Sequence, residues 1–286
     1  MLTLPQTNWT STIRGLHQVA MLLAPIHRAL LPKRPNWLHL PLHVQPTGLL
    51  SQALPNGGRI LIDFKAGFVN YQRNNGIQAS FAFASHSQAS LMHEILAALQ
   101  HDELEHILGD ANDEALLSTL LRHVHTNEGL ASPLNADEFS QEEPLAIDPD
   151  VANAYANVLY SVFTGVARYR ARLSGHLSPV VVWPEHFDLS TLWFASGAMD
   201  ENQAHISIGF APYSPGYERP YLYAYAYPYP QDFVPPAVPS PAFWNADGWR
   251  GVVVPYDDMA SQNEVTAYVE QMCMALFGIL REVLET

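Results

Sequence analysis

Cysteine is nearly absent from this chain. Cys273 stands alone, so no intrachain disulfide can form, and its place in the apolar run MCMALFGIL makes a buried, inert thiol the expectation. Lysine is almost as scarce, with Lys33 and Lys65 the only two. The 286 residues include 14 basic and 28 acidic side chains, a formal net charge of -14 with histidine neutral. A surface so poor in cations repels phosphate backbones and anionic bilayers, because both are held by Lys and Arg. No nucleic-acid partner and no membrane partner is therefore expected. No apolar run nears the roughly 20 residues of a membrane-spanning helix. The opening MLTLPQTNWTSTIRG lacks the basic and apolar regions of a secretory signal. The expected setting is that of a soluble cytoplasmic protein. Walker loops, GxGxxG turns, GxSxG elbows and HExxH pairs are also missing, and no cofactor is identified.

What is present supports a sizeable core, since 48% of the residues are hydrophobic. Ile13, Leu16, Ala20, Leu23, Ile26 and Leu30 recur at three- and four-residue steps and form one helical stripe, which Pro25 should kink or split. Residues 37–44, WLHLPLHV, alternate as a strand does, with Leu38, Leu40, Leu42 and Val44 on one face and Trp37, His39, Pro41 and His43 on the other. Strands at 59–65, 67–73 and 77–84 follow, with Asn74-Asn75-Gly76 as a hairpin turn. A helix is expected over 87–104 and another over 112–125. The stretch 135–150 is acidic and without period, and reads as a linker or a surface-crossing segment. Asp148-Pro149 opens a long helix to about Leu173. Strands at 179–183, 190–195, 205–211, 221–227 and 251–254 come next, and a terminal amphipathic helix over 261–285 closes the chain.

The fold class expected is α+β, with antiparallel sheets flanked by long amphipathic helices. The pattern helix, strands, helix occurs twice, so the organisation reads as an N-terminal half 1–134, a linker 135–150 and a C-terminal half 151–286. One continuous domain is the alternative. Duplication and coincidental alternation explain the pattern equally well.

The densest chemistry lies between Ser178 and Pro230. In PYLYAYAYPYP, alternation puts Tyr221, Tyr223, Tyr225, Tyr227 and Tyr229 on one face, and Leu222, Ala224 and Ala226 on the other. Small residues on the second face admit a close neighbour, while the tyrosine face suits a ligand or a protein surface. Trp183 and Trp193 could wall a pocket there. Histidine spacing gives no metal motif: His39 and His43 on one strand face would lie ~13 Å apart. No metal ligands are assigned. A distributed group remains, in which His39, Asp188 and His205 converge if the two half-sheets lie side by side. Imidazole and carboxylate are the groups of acid–base catalysis and metal binding.

Four segments carry a family resemblance: NWTSTIRGLH, NWLHLPLHVQPTGL, SPVVVWPEHFDLSTLWFASG, and HISIGFAPYSPG with PYLYAYAYPYP. Through them the chain resembles a bacterial family of soluble proteins known only as a domain of unknown function. The resemblance implies that His39, Ser178-Pro179, Phe187-Asp188-Leu189, His205, Gly209-Phe210 and the Tyr-Ala repeat are family features, and it implies no activity. This chain has Val180-Val181-Val182 where the family pattern carries another histidine.

Three functional expectations follow. The first is binding of a small, partly apolar ligand in a pocket lined by Trp183, Trp193, Tyr223, Tyr225 and Tyr227. The second is a metal-assisted or acid–base hydrolytic enzyme using His39, Asp188 and His205. The third is an interaction or homo-oligomeric module built on the tyrosine face.

Overall fold

The computed structural model describes residues 3–104, 114–127, 130–131, 141–261 and 264–285. Its main elements are helices packed with two antiparallel sheets, an α+β fold. Contacts divide the chain into two compact units, one of residues 4–157 with 182–187, the other of residues 158–181 with 188–286.

In the first unit, α1 (Trp9–Met21) and α2 (Leu23–Leu30) form the expected stripe, split at Leu22. Pro25 sits in the first turn of α2, where its missing N–H leaves no helical bond unmade. The strands β1 (His43–Gln45), β2 (Gly48–Leu50), β3 (Arg59–Asp63), β4 (Phe68–Arg73) and β5 (Gly76–Ala82) pair in chain order as an antiparallel meander. Ile60 and Ile62 of β3 bury the same face as Val69 and Tyr71 opposite them. Helix α3 (Gln88–Leu99) opens on a Ser87–Ser90 capping box, and α4 (Glu114–His125) leads to the short strands β6 (Thr126–Asn127) and β7 (Leu130–Ala131).

The segment 37–44 departs from the strand expected there. Pro35–Trp37 is a 3₁₀ turn, Asn36 and Trp37 take left-handed φ values of 51° and 54°, and only His43 onward is strand. The apolar alternation fails because His39, Leu40, Pro41 and Leu42 are all buried. Left-handed backbone cannot continue a strand, and Pro41 has no N–H to give to one.

Of the expected linker 135–150, residues 135–140 lie outside the described residues. Residues 141–148 pack with the first unit: Ala89 N–H donates to Gln141 O at 3.0 Å, and Leu145 N–H to His86 O at 3.0 Å. Asp148 then caps α5 (Pro149–Ala171), its Oδ1 accepting from Asp150 N–H at 3.0 Å and Val151 N–H at 3.2 Å. The core of this unit gathers Trp9, His17, Phe64, Tyr155 and Phe187, with His17 stacked on Phe187 at 5.1 Å and Tyr155 edge-on to Trp9 at 5.9 Å.

The second unit holds β8 (His176–Leu177), the first residue of β9 (Val181–Trp183), β10 (Asp188–Phe194), β11 (His205–Ala211), β12 (Tyr221–Tyr227), β13 (Phe243–Asn245) and β14 (Gly251–Pro255). The sheet order is β13-β14-β12-β11-β10-β8. After α6 (Tyr256–Ala260), α7 (Val265–Glu285) lies against β11 and β12. The small-residue face expected from Ala224 and Ala226 is the covered one: both are buried together with Ile206, Ile208, Leu222 and Val254. Helix α7 meets the second half of α5 where Gly165 allows close approach, and Thr266 Oγ1 donates to Ser161 O at 3.0 Å.

Candidate functional site

Register decides what the tyrosine face contains. Ser207 lies opposite Tyr225, Gly209 opposite Tyr223, and His205 opposite Tyr227, while on the other side of β11 Ser190 faces Gly209 and Phe194 faces His205. One face therefore carries Asp188, Ser190 and Phe194 of β10, then His205, Ser207 and Gly209, then the tyrosines of β12. Exposure rises along the ladder, from 5% at Tyr221 to 46% at Tyr227.

Tyr223 crosses the sheet. Its ring occupies the space where a side chain on residue 209 would stand, and its hydroxyl donates to Asp188 Oδ2. Burial first, then the Asp188 charge, pushes the Tyr223 phenol far above its ordinary value, so the proton stays on the tyrosine and the bond is a phenol-to-carboxylate one. Tyr225 is pushed up to about 12, chiefly by burial, against the opposing effect of its bond with Ser207.

His205 stands at the other end of this face. Its Nδ1 is 2.8 Å from Gln203 O, which fixes the neutral tautomer as Nδ1–H and leaves Nε2 as an acceptor. Nε2 has no hydrogen-bond partner among the described residues. The rings of Tyr225 and Tyr227 are centred 5.9 and 5.5 Å away, and that of Phe194 6.0 Å.

The sequence-derived groupings fare unevenly. Asp188 and His205 share a face but not a site: His205 pairs with Phe194, six residues along β10 from Asp188, which separates them by ~20 Å. Trp193 does not stand with the tyrosines, since it pairs with Ile206 on the opposite, helix-covered face, edge-on to Phe277 at 5.4 Å. Trp183 and His39 belong to the first unit. Tyr223, Tyr225 and Tyr227 do stand together, with the Tyr223 and Tyr225 rings stacked 6.2 Å apart.

A family model described as a family of unknown function, DUF5996, matches residues 2–278. The chain belongs to this family. No curated protein and no solved structure matches it. The segments that resembled a family in the sequence thus fall within a match over nearly the whole DUF5996 chain.

In the first unit of this DUF5996 protein, Pro184, Glu185 and Phe187 of the segment PEHFD are buried. Glu185 is 1% exposed, its Oε1 lies 3.6 Å from Arg28, and its carbonyl accepts from His17 Nε2 at 3.1 Å. Leu42 and Val182 exchange both backbone bonds, at 2.8 and 2.9 Å, which seats this segment. His39 is 2% exposed and its Nδ1 accepts from Arg34 N–H at 3.3 Å. Below Leu40 lies His27, absent from the sequence-derived candidates. Its burial inside a helical stripe gave no signal beyond being a histidine among leucines. Among the described residues, no group of three or more His, Cys, Asp or Glu is arranged to hold a metal ion, and no helix is long and apolar enough to cross a membrane.

Proposed function

We propose that this protein binds a small, partly apolar ligand on the tyrosine face, at its Tyr225, Tyr227 and His205 end. The observation that carries the reading is the His205 ring, tied at Nδ1 to Gln203 O and placed among three aromatic rings with Nε2 available as an acceptor. Aromatic surface gives a ligand apolar contact at little cost in side-chain entropy, and one fixed acceptor selects a ligand that carries an O–H or N–H. Hydrolytic chemistry that needs Asp188 beside His205 has no support in the register. A cytoplasmic setting fits the single thiol, buried at Cys273.

Native mass spectrometry of the protein purified from its own cells tests this reading. A small non-covalent adduct is expected on the wild type, and Tyr227→Ala, at a ring 46% exposed, and His205→Gln should each lose it while keeping the unfolding midpoint within a few degrees. An adduct retained by both variants would overturn the assignment to this end of the face. A second reading, a homo-oligomer, draws on Tyr227 and Phe243, exposed by 46% and 43% on the same side of the sheet. The mass of the native assembly decides it in the same measurement.

A further inference from the structure

Charge is distributed unevenly along the chain. No aspartate or glutamate precedes Asp63, whereas Arg14, Arg28, Lys33, Arg34 and Arg59 all do. In a protein of net charge -14, the first 62 residues carry only positive formal charge. Two of those cations flank His39: Arg34 gives its backbone N–H to the ring, and Lys33 Nζ lies 6.0 Å from the Trp37 indole that stands beside it. After burial, the charges of Arg28, Lys33 and Arg34 hold its imidazole below the ordinary value, which keeps it neutral. Arg28 is answered by Glu185 at 3.6 Å. Lys33 and Arg34 are exposed and have no ion pair among the described residues.

The backbone between them is held in an unusual form. Asn36 and Trp37 are successive left-handed residues, at φ 51° and 54°, and neither is glycine. Such backbone persists only where its surroundings hold it, and it recurs at ligand clamps. The turn brings Trp37 over its neighbours: Lys33 Nζ lies 6.0 Å from the indole centre and the His39 ring 6.0 Å from it.

Tautomers follow from the hydrogen bonds. Because His39 Nδ1 accepts from Arg34 N–H, the neutral ring carries its proton on Nε2. That nitrogen is buried and has no partner among the described residues. His27 shows the opposite arrangement: its Nδ1 donates to Leu40 O at 2.9 Å, so its buried and likewise unpartnered Nε2 is a lone pair. A buried N–H that donates to nothing is a standing cost, relieved by any acceptor that reaches it.

We propose that Lys33, Arg34 and His39 form a binding site for a small oxyanion, a phosphate or carboxylate group, which accepts from His39 Nε2–H and is steered by the two exposed cations. The site lies wholly within the first unit and is independent of the tyrosine face. An oxyanion fits because it brings acceptors and negative charge together, whereas a neutral carbonyl would leave the cations unanswered.

The test is a calorimetric titration of the full chain with inorganic phosphate and, separately, acetate, with sodium chloride holding ionic strength constant. Saturable binding of either anion is expected, with a matching rise in unfolding temperature that chloride does not give. Saturation by phosphate alone assigns a phosphoryl group, by acetate alone a carboxylate, and by both the shared oxyanion chemistry. The double variant Lys33→Gln/Arg34→Gln alters exposed side chains, so it should fold as the wild type and bind at least tenfold more weakly. His39→Phe removes the donor, and should lose binding while Lys33 and Arg34 remain. Absence of saturation with both anions, or affinity unchanged in the double variant, would overturn the proposal.

Discussion

Tyr223 reaches across β11 to Asp188, and the strand it crosses presents glycine, Gly209, at the crossing point. The hydroxyl bond and the missing side chain are two halves of one arrangement. A Cβ at residue 209 would meet both the Tyr223 ring and the carbonyl of Leu189, and that carbonyl belongs to the sheet and cannot swing away.

Gly209→Ala should therefore destabilise the protein by about 1–3 kcal/mol, the range for overpacking a formed core. Tyr223→Phe keeps the ring and removes only the donor to Asp188, with an expected loss of about 1–3 kcal/mol. Urea unfolding of both variants and of the double variant checks this. If the two act through one arrangement, the double variant costs less than the sum of the singles.

Gly165→Ala reverses the usual effect of that substitution. In an isolated helix interior, alanine is favoured over glycine by about 1 kcal/mol. Here a Cβ would stand 2.7 Å from Thr266 O and 2.8 Å from Val269 Cβ, both on α7. Separating the two helices should outweigh the propensity gain and give a net loss of about 1–2 kcal/mol, read from the unfolding midpoint.

Acid should weaken the first unit through His27. Burial lowers this imidazole from 6.5 to about 4, against the bond to Leu40, with the charges of His39 and His43 adding to the fall. The unfolded chain takes up the proton near pH 6.5 while the folded chain resists it until about pH 4. Stability is thus complete above pH 6.5 and falls as the pH drops toward 4, by on the order of 3 kcal/mol for this one group. In His27→Gln, whose amide can still donate to Leu40 O, the slope of urea midpoint against pH over that window should flatten.

Alkali acts through the tyrosines with the opposite sign. Tyr225 is raised from 10.0 to about 12, so the folded state holds a proton that the unfolded chain has released. The stability this provides is present below pH 10 and is lost as the pH rises toward 12. Absorbance at the phenolate band should show a late-titrating step, and Tyr225→Phe should remove one tyrosine from it.

Much of the architecture was legible in the sequence. The alternation in Tyr221–Tyr227 and the small residues between the rings announced a strand with two unlike faces, because side-chain direction along a strand is a local property of the backbone. Asp148-Pro149 announced a helix start for the same reason. In Trp37–Val44 the same alternation misled, because two left-handed residues and Pro41 took the chain out of the extended form before any pairing could hold it.

The sites are another matter. The sequence by itself determined which residues share a strand face, where helices begin, and that cations crowd the region before Asp63. It could not determine that Gly209 lies beneath Tyr223, that Asp188 and His205 stand at opposite ends of one ladder, or that Trp193 turns to the helices. Those are matters of register between strands far apart in the chain, set by which faces bury together, and a shift of one residue would have changed them all.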